Sequence, residues 1–179
     1  MNYADIKSPK DLYIYMKNNI NYGFVTKNGE VFVRKEVGDD KLYEDMLVKS
    51  YYLQSPEELD ISGYGLCFDQ VIFARNWLKN NGYNTQGYYT THHNHTFLAY
   101  KDKDINRYVL FERTLGDYNG LKNFYGLNSL LNYYNDLQKI MSNKNIGDID
   151  IYSFGDIEYG LGFYELLDEL RSGEKVLIK

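Results

Sequence analysis

The chain has 179 residues, 44% of them hydrophobic and 25% charged, with a formal net charge of −5. That length suits one domain with a packed core, so 1–179 is read as a single domain. Acidic and basic residues interleave without a basic stripe and no apolar run spans a bilayer, which argues against nucleic-acid and membrane partners.

In chain order, Ser8-Pro9 opens a helix as cap and first residue, Leu12, Tyr15 and Met16 give its apolar face, and Tyr22-Gly23 ends it. Residues 24–27 and 30–34 alternate like strands around Asn28-Gly29, the signal of a hairpin with a two-residue turn. A further helix is predicted over 41–53 through Leu42, Met46, Val48 and Tyr52.

Gly63-Tyr64-Gly65-Leu66-Cys67-Phe68-Asp69-Gln70 comes next, and Val71, Ala74, Trp77 and Leu78 then recur at helical spacing before Gly82. The two glycines allow an unusual backbone path and a close approach. The only cysteine therefore sits in the first turn of a helix of about four turns, where unpaired amides and the dipole favour a thiolate. A lone cysteine is otherwise most often a small buried hydrophobe.

Residues 83–91 form one strand pattern, and 95–100 begin another just after Thr91-His92-His93-Asn94. The charged loop Lys101-Asp102-Lys103-Asp104-Ile105-Asn106 leads to a strand over 107–114. With a four-residue loop over 102–105, Lys101 opposes Asn106 and His95 falls opposite Glu112. Their Cβ atoms would then lie about 5 Å apart, close enough for a carboxylate to accept an imidazole proton. A five-residue loop would put Arg113 there instead. In this register Cys67 attacks a carbonyl, His95 carries the proton and Glu112 orients the imidazole.

Beyond this, 116–120 reads as a turn. A helix is predicted over 129–141 through Leu130, Leu131, Tyr134, Leu137, Ile140 and Met141. A strand over 149–154, a helix over 163–171 stopped by Gly173, and a short strand over 176–178 complete the reading, with no repeat or linker.

Cys67-Phe68-Asp69-Gln70, Asn94-His95-Thr96-Phe97-Leu98 and Phe111-Glu112-Arg113-Thr114 resemble the core of the transglutaminase-like superfamily of papain-type cysteine enzymes, more narrowly a bacterial branch of it. The resemblance covers about the middle third of the chain. It implies an α+β, papain/transglutaminase-like fold with the nucleophile helix packed on an antiparallel sheet. It also implies Cys67 as nucleophile, His95 as base and Glu112 as third member, where the family commonly has an aspartate. Such enzymes place a polar donor for the oxyanion upstream of the cysteine, which suggests Gln54, with an exposed loop glutamine as the bland reading. A peptide or protein substrate and no cofactor or metal are implied. A bacterial cytoplasm is expected, because Met1-Asn2-Tyr3-Ala4-Asp5 is no signal peptide and a single cysteine suits a reducing compartment.

Three functions are therefore weighed. The first is a cysteine hydrolase or acyltransferase acting on an amide or thioester. The second is a catalytically inactive binding module whose 20 tyrosines make contacts. The third takes His92, His93, His95 and Cys67 as zinc ligands, without the usual spacing for it.

Overall fold

The computed structural model describes residues 3–142 and 149–176. Helix α1 (Pro9–Asn19) starts where the Ser8 hydroxyl accepts the Asp11 N–H, as its sequence predicts. Strands β1 (Phe24–Val25) and β2 (Val31–Phe32) pair as a hairpin, but the loop has three residues, 27–29. Thr26 closes it, accepting Gly29 N–H on its carbonyl and Glu30 N–H on its hydroxyl. The expected two-residue turn is thus replaced and the register moves by one, which exchanges the faces of one strand.

Strand β2 ends two residues before the predicted 34, and a single turn, α2 (Arg34–Val37), follows, for which no element was predicted. Helix α3 (Asp40–Ser50) is capped by Asp39 and buries Tyr43, whereas Leu42 and Val48 of the predicted stripe are exposed. Helix α4 (Pro56–Ser62) was not predicted. Its signal was present nonetheless, since Ser55 and Glu58 form a capping box with Pro56 at the first position.

Helix α5 (Cys67–Asn80) begins and ends as predicted, and it is buried on most of its circumference. The loop before it makes use of both glycines. Gly63 has φ +67°, and a Cβ on Gly65 would meet Leu59 Cδ1 at 2.6 Å and Asp69 Cβ at 2.9 Å.

Strands β3 (Asn84–Thr90), β4 (His95–Asp102), β5 (Arg107–Glu112), β6 (Gly120–Phe124), β7 (Ile151–Phe154) and β8 (Glu174–Val176) form one antiparallel sheet in the order β6-β5-β4-β3-β7-β8. Strand β6 was not predicted, since Gly120-Leu121-Lys122-Asn123-Phe124 shows no strict alternation; Lys122 and Asn123 suit its place at the edge. Strand β8 begins two residues before the predicted 176–178, of which 177 and 178 lie outside the described residues.

Alternation along the strands splits the interior in two. Tyr89, Leu98, Tyr100, Val109 and Phe111 face a core shared with α1, α5 and α7 (Phe163–Arg171). Tyr88, Phe97, Ala99 and Leu110 face a second core closed by Leu130, Leu131 and Tyr134 of α6 (Leu127–Ser142). Ile140 and Met141, at the end of the predicted stripe, are exposed. The fold is therefore α+β, with the cysteine-bearing helix on one face of an antiparallel sheet. No described helix is long and apolar enough to cross a membrane.

Because the Gly65 backbone presses on Asp69 and Leu59, Gly65→Ala should destabilise the fold by about 1–3 kcal/mol through overpacking. A lowered urea midpoint with an unchanged slope checks this, and an unchanged midpoint would show that the loop yields freely.

Candidate functional site

Cys67, His95 and Glu112 come from three elements and meet at one end of the sheet. Cys67 opens α5, where its N–H has no partner within the helix. Asp69 fixes the approach to it: one carboxylate oxygen accepts Leu66 N–H (2.9 Å), and the other accepts Gln54 N–H (3.1 Å) and the Tyr51 hydroxyl (3.3 Å). Asp69 thus caps the helix and anchors the 51–54 segment to it. Desolvation raises its pKa to about 7 against those donors.

The loop register differs from the expected one. Asp102 pairs with Arg107 and Leu98 with Phe111, so the turn spans 103–106 and the pairing is displaced by two residues. Asp102 explains this, since its side chain accepts the N–H groups of Asp104 and Ile105 and so closes the turn one residue later. An even displacement keeps every side chain on its predicted face. Continued to the strand end, it sets Glu112 opposite Phe97 and diagonal to His95. The diagonal is longer than the direct pairing, and a glutamate spans it.

His95 Nε2 donates to Glu112 Oε2 at 3.1 Å, with both residues buried (6% and 1% exposed). Cys67 approaches from the other side: its Sγ lies 3.8 Å from the carbonyl of Asn94, the residue before His95, and it acts electrostatically on the imidazole. The imidazole therefore has the carboxylate bonded to it and the sulfur close by. Burial disfavours the imidazolium, but Glu112 and Cys67 outweigh it and push the His95 pKa up to about 10.

The carboxylate is held in turn. Glu112 Oε1 accepts the backbone N–H groups of Arg113 (2.8 Å) and Thr114 (2.9 Å), and Oε2 also accepts the Tyr134 hydroxyl (3.3 Å). The Tyr134 ring lies parallel to His95 and stacks on Phe97 with centroids 3.7 Å apart. Burial and Glu112 push the Tyr134 hydroxyl well above its ordinary pKa, so it acts as a donor. Tyr134 was legible as a core residue of its helix, but nothing in the sequence tied it to Glu112.

Asn94 supplies the turn before the histidine. It adopts φ +46°, accepts the Tyr89 hydroxyl on its side chain (2.6 Å) and turns its carbonyl towards Cys67 Sγ (3.8 Å). His92 and His93 lie in this turn, exposed and packed edge to face with each other, so His93 does not share a strand face with His95. Among the described residues, no three His, Cys, Asp or Glu side chains converge as a metal would need.

Gln54 is neither an oxyanion donor in place nor an exposed loop residue. It is buried, its Nε2 donates to Tyr64 O (2.8 Å) and its Oε1 accepts from Ser62 Oγ (2.8 Å). These bonds brace α4 against the loop before Cys67, and Gln54 does not line the cleft on which Cys67 opens. That cleft encloses about 520 Å³ between α3, α7 and the 93–94 turn. Its walls include Tyr43, Leu47, Phe163 and Leu167, with Arg34 and Arg171 at its polar edges. Tyr22 lines it too, beside Cys67, a placement no sequence signal announced.

The raised His95 pKa gives a signed prediction. Folded His95 binds its proton more tightly than unfolded histidine, whose pKa is about 6.5, so its contribution to stability is full below that value and is lost as pH rises towards 10. In Glu112→Gln the His95 titration, followed by imidazole NMR, should fall by about 2 pH units or more, and that part of the alkaline loss of stability should vanish. A midpoint that stays near 10 would show that Glu112 does not hold the proton. Comparison with known proteins finds no matching family model, no matching curated protein and no matching solved structure, so a function rests on the site's own chemistry.

Proposed function

We propose that the chain is a cysteine-nucleophile hydrolase or acyltransferase that opens an amide or thioester through an acyl-enzyme on Cys67. The observation that carries this reading is one buried imidazole bonded to a carboxylate, with the cysteine sulfur against the residue just before it. A histidine kept for packing needs neither partner, and a cysteine kept for packing needs no imidazole.

The roles follow from the contacts. His95 holds the proton that the thiol has given up while the Cys67 sulfur attacks the carbonyl carbon, then passes it to the leaving amine or thiol. Glu112 stabilises the imidazolium and fixes the ring with Nε2 towards itself, leaving the other nitrogen for the sulfur. Water or an amine then attacks the thioester carbon with His95 as base, which regenerates the thiol. Hydrolysis, deamidation and transfer share these steps and differ only in the acceptor.

The substrate is taken to be a peptide or protein, which the open cleft walled by Tyr43, Leu47, Phe163 and Leu167 can admit. The sequence resemblance to transglutaminase-like enzymes points the same way, and the α+β architecture with the cysteine helix laid on an antiparallel sheet accords with it. Within that resemblance, glutamate in place of aspartate fits the diagonal position of Glu112 relative to His95.

Iodoacetamide labelling of the folded protein tests the reading. Cys67 should be alkylated rapidly at pH 6, and His95→Ala should slow it about tenfold or more by removing the proton acceptor and its charge. Labelling that waits for unfolding, or ignores His95, would sink the catalytic reading in favour of a binding module.

A further inference from the structure

We propose that Tyr22 donates the side-chain hydrogen bond to the oxyanion formed when Cys67 attacks a carbonyl, opposite the backbone N–H of Cys67 itself. The inference rests on the acyl-transfer reading and gives that reaction the donor that Gln54 does not supply.

Tyr22 is held beside the sulfur by the chain on both sides of the site. Immediately before it, Asn21 lies along the loop that leads into Cys67, donating its N–H to Gly63 O (2.8 Å) and accepting Gly65 N–H on its carbonyl (3.1 Å). One residue earlier, the Ile20 carbonyl accepts Arg113 Nη2 at 3.0 Å, and the same nitrogen reaches Met16 O at 3.1 Å. Arg113 is the neighbour of Glu112. The strand end that carries the carboxylate and the loop that carries the cysteine thus grip one short segment, and the next side chain along it is Tyr22. Two residues on, Phe24 is fully buried and fixes the exit.

The residue as a whole is 49% exposed, yet it lines the same cleft as Cys67, near enough for the cysteine to act electrostatically on its hydroxyl. Desolvation and Cys67 push that hydroxyl well above its ordinary pKa, so it keeps a proton to donate.

In the reaction the sulfur lone pair forms the C–S bond and the carbonyl π pair moves onto oxygen. That oxygen sits on the carbon now bonded to Sγ, so a donor on the cleft wall beside the sulfur can reach it. Collapse returns the pair to carbon and breaks the bond to the leaving group. A hydrogen bond that strengthens only as charge develops on oxygen lowers the barrier without tightening ground-state binding.

Two probes separate this role from any effect on the thiol. Iodoacetamide is attacked at a saturated carbon and forms no oxyanion, whereas p-nitrophenyl acetate is attacked at its carbonyl and releases p-nitrophenolate. Tyr22→Phe should alkylate at a plateau rate within about threefold of the unaltered protein but acylate about a hundredfold more slowly, the usual effect of losing one such donor. Tyr22→His, which restores an N–H donor, should recover part of the acylation. Acylation by Tyr22→Phe at the full rate would overturn the proposal. So would equal losses with both probes, which would assign Tyr22 to preparing the thiolate. Failure of the acyl-transfer reading shows separately, as alkylation of the unaltered protein that is indifferent to His95→Ala.

Discussion

A hydrogen bond between two buried ionisable side chains, His95 and Glu112, is the constraint on which the rest of the site depends. Neither group can be charged alone in that interior without a large desolvation penalty. The pair is tolerable because Glu112 also accepts two backbone N–H groups and a tyrosine hydroxyl, while His95 has the cysteine on its other side. A stack of Tyr134 on Phe97 then closes the apolar side. A pair so enclosed has few alternative geometries, which suits a proton carrier.

The fold delivers this arrangement by joining its two cores at one point. Strand alternation places His95 and Glu112 on the α6 face, whereas Cys67 opens a helix on the opposite face. They can meet only at the end of the sheet, and His95 is the first residue of its strand. Asp69 and Gln54 stiffen the loop before the cysteine, and Asn94 stiffens the turn before the histidine. Residues with no place in the chemistry thus set its distances.

Much of this was legible in the sequence, for reasons that can be named. The Cys67 helix was plain because apolar spacing and glycine stops agree along its whole length. The β4–β5 hairpin was equally plain from its alternating pattern. Its exact pairing was not, because it turned on the Asp102 side chain capturing two loop N–H groups. His95 and Glu112 nonetheless meet, diagonally and not directly opposed as expected, since an error of two residues preserves the face. Gln54 was misplaced because residue type says nothing about aim, and its carboxamide is satisfied locally by Ser62 and Tyr64. Tyr22 was invisible for the opposite reason. It lies 45 residues before Cys67 and reaches it only through main-chain bonds of Asn21 to a glycine loop, and no local pattern encodes such a contact.

The most direct measurement is intact-protein mass spectrometry after brief exposure to an aryl thioester such as S-phenyl thioacetate, followed by peptide mapping. One acetyl group on Cys67 that disappears with time in the folded protein, and fails to form in His95→Ala, is the predicted result. A protein that stays unmodified, or is acetylated only at scattered lysines, would contradict the account and leave the buried pair as a structural feature.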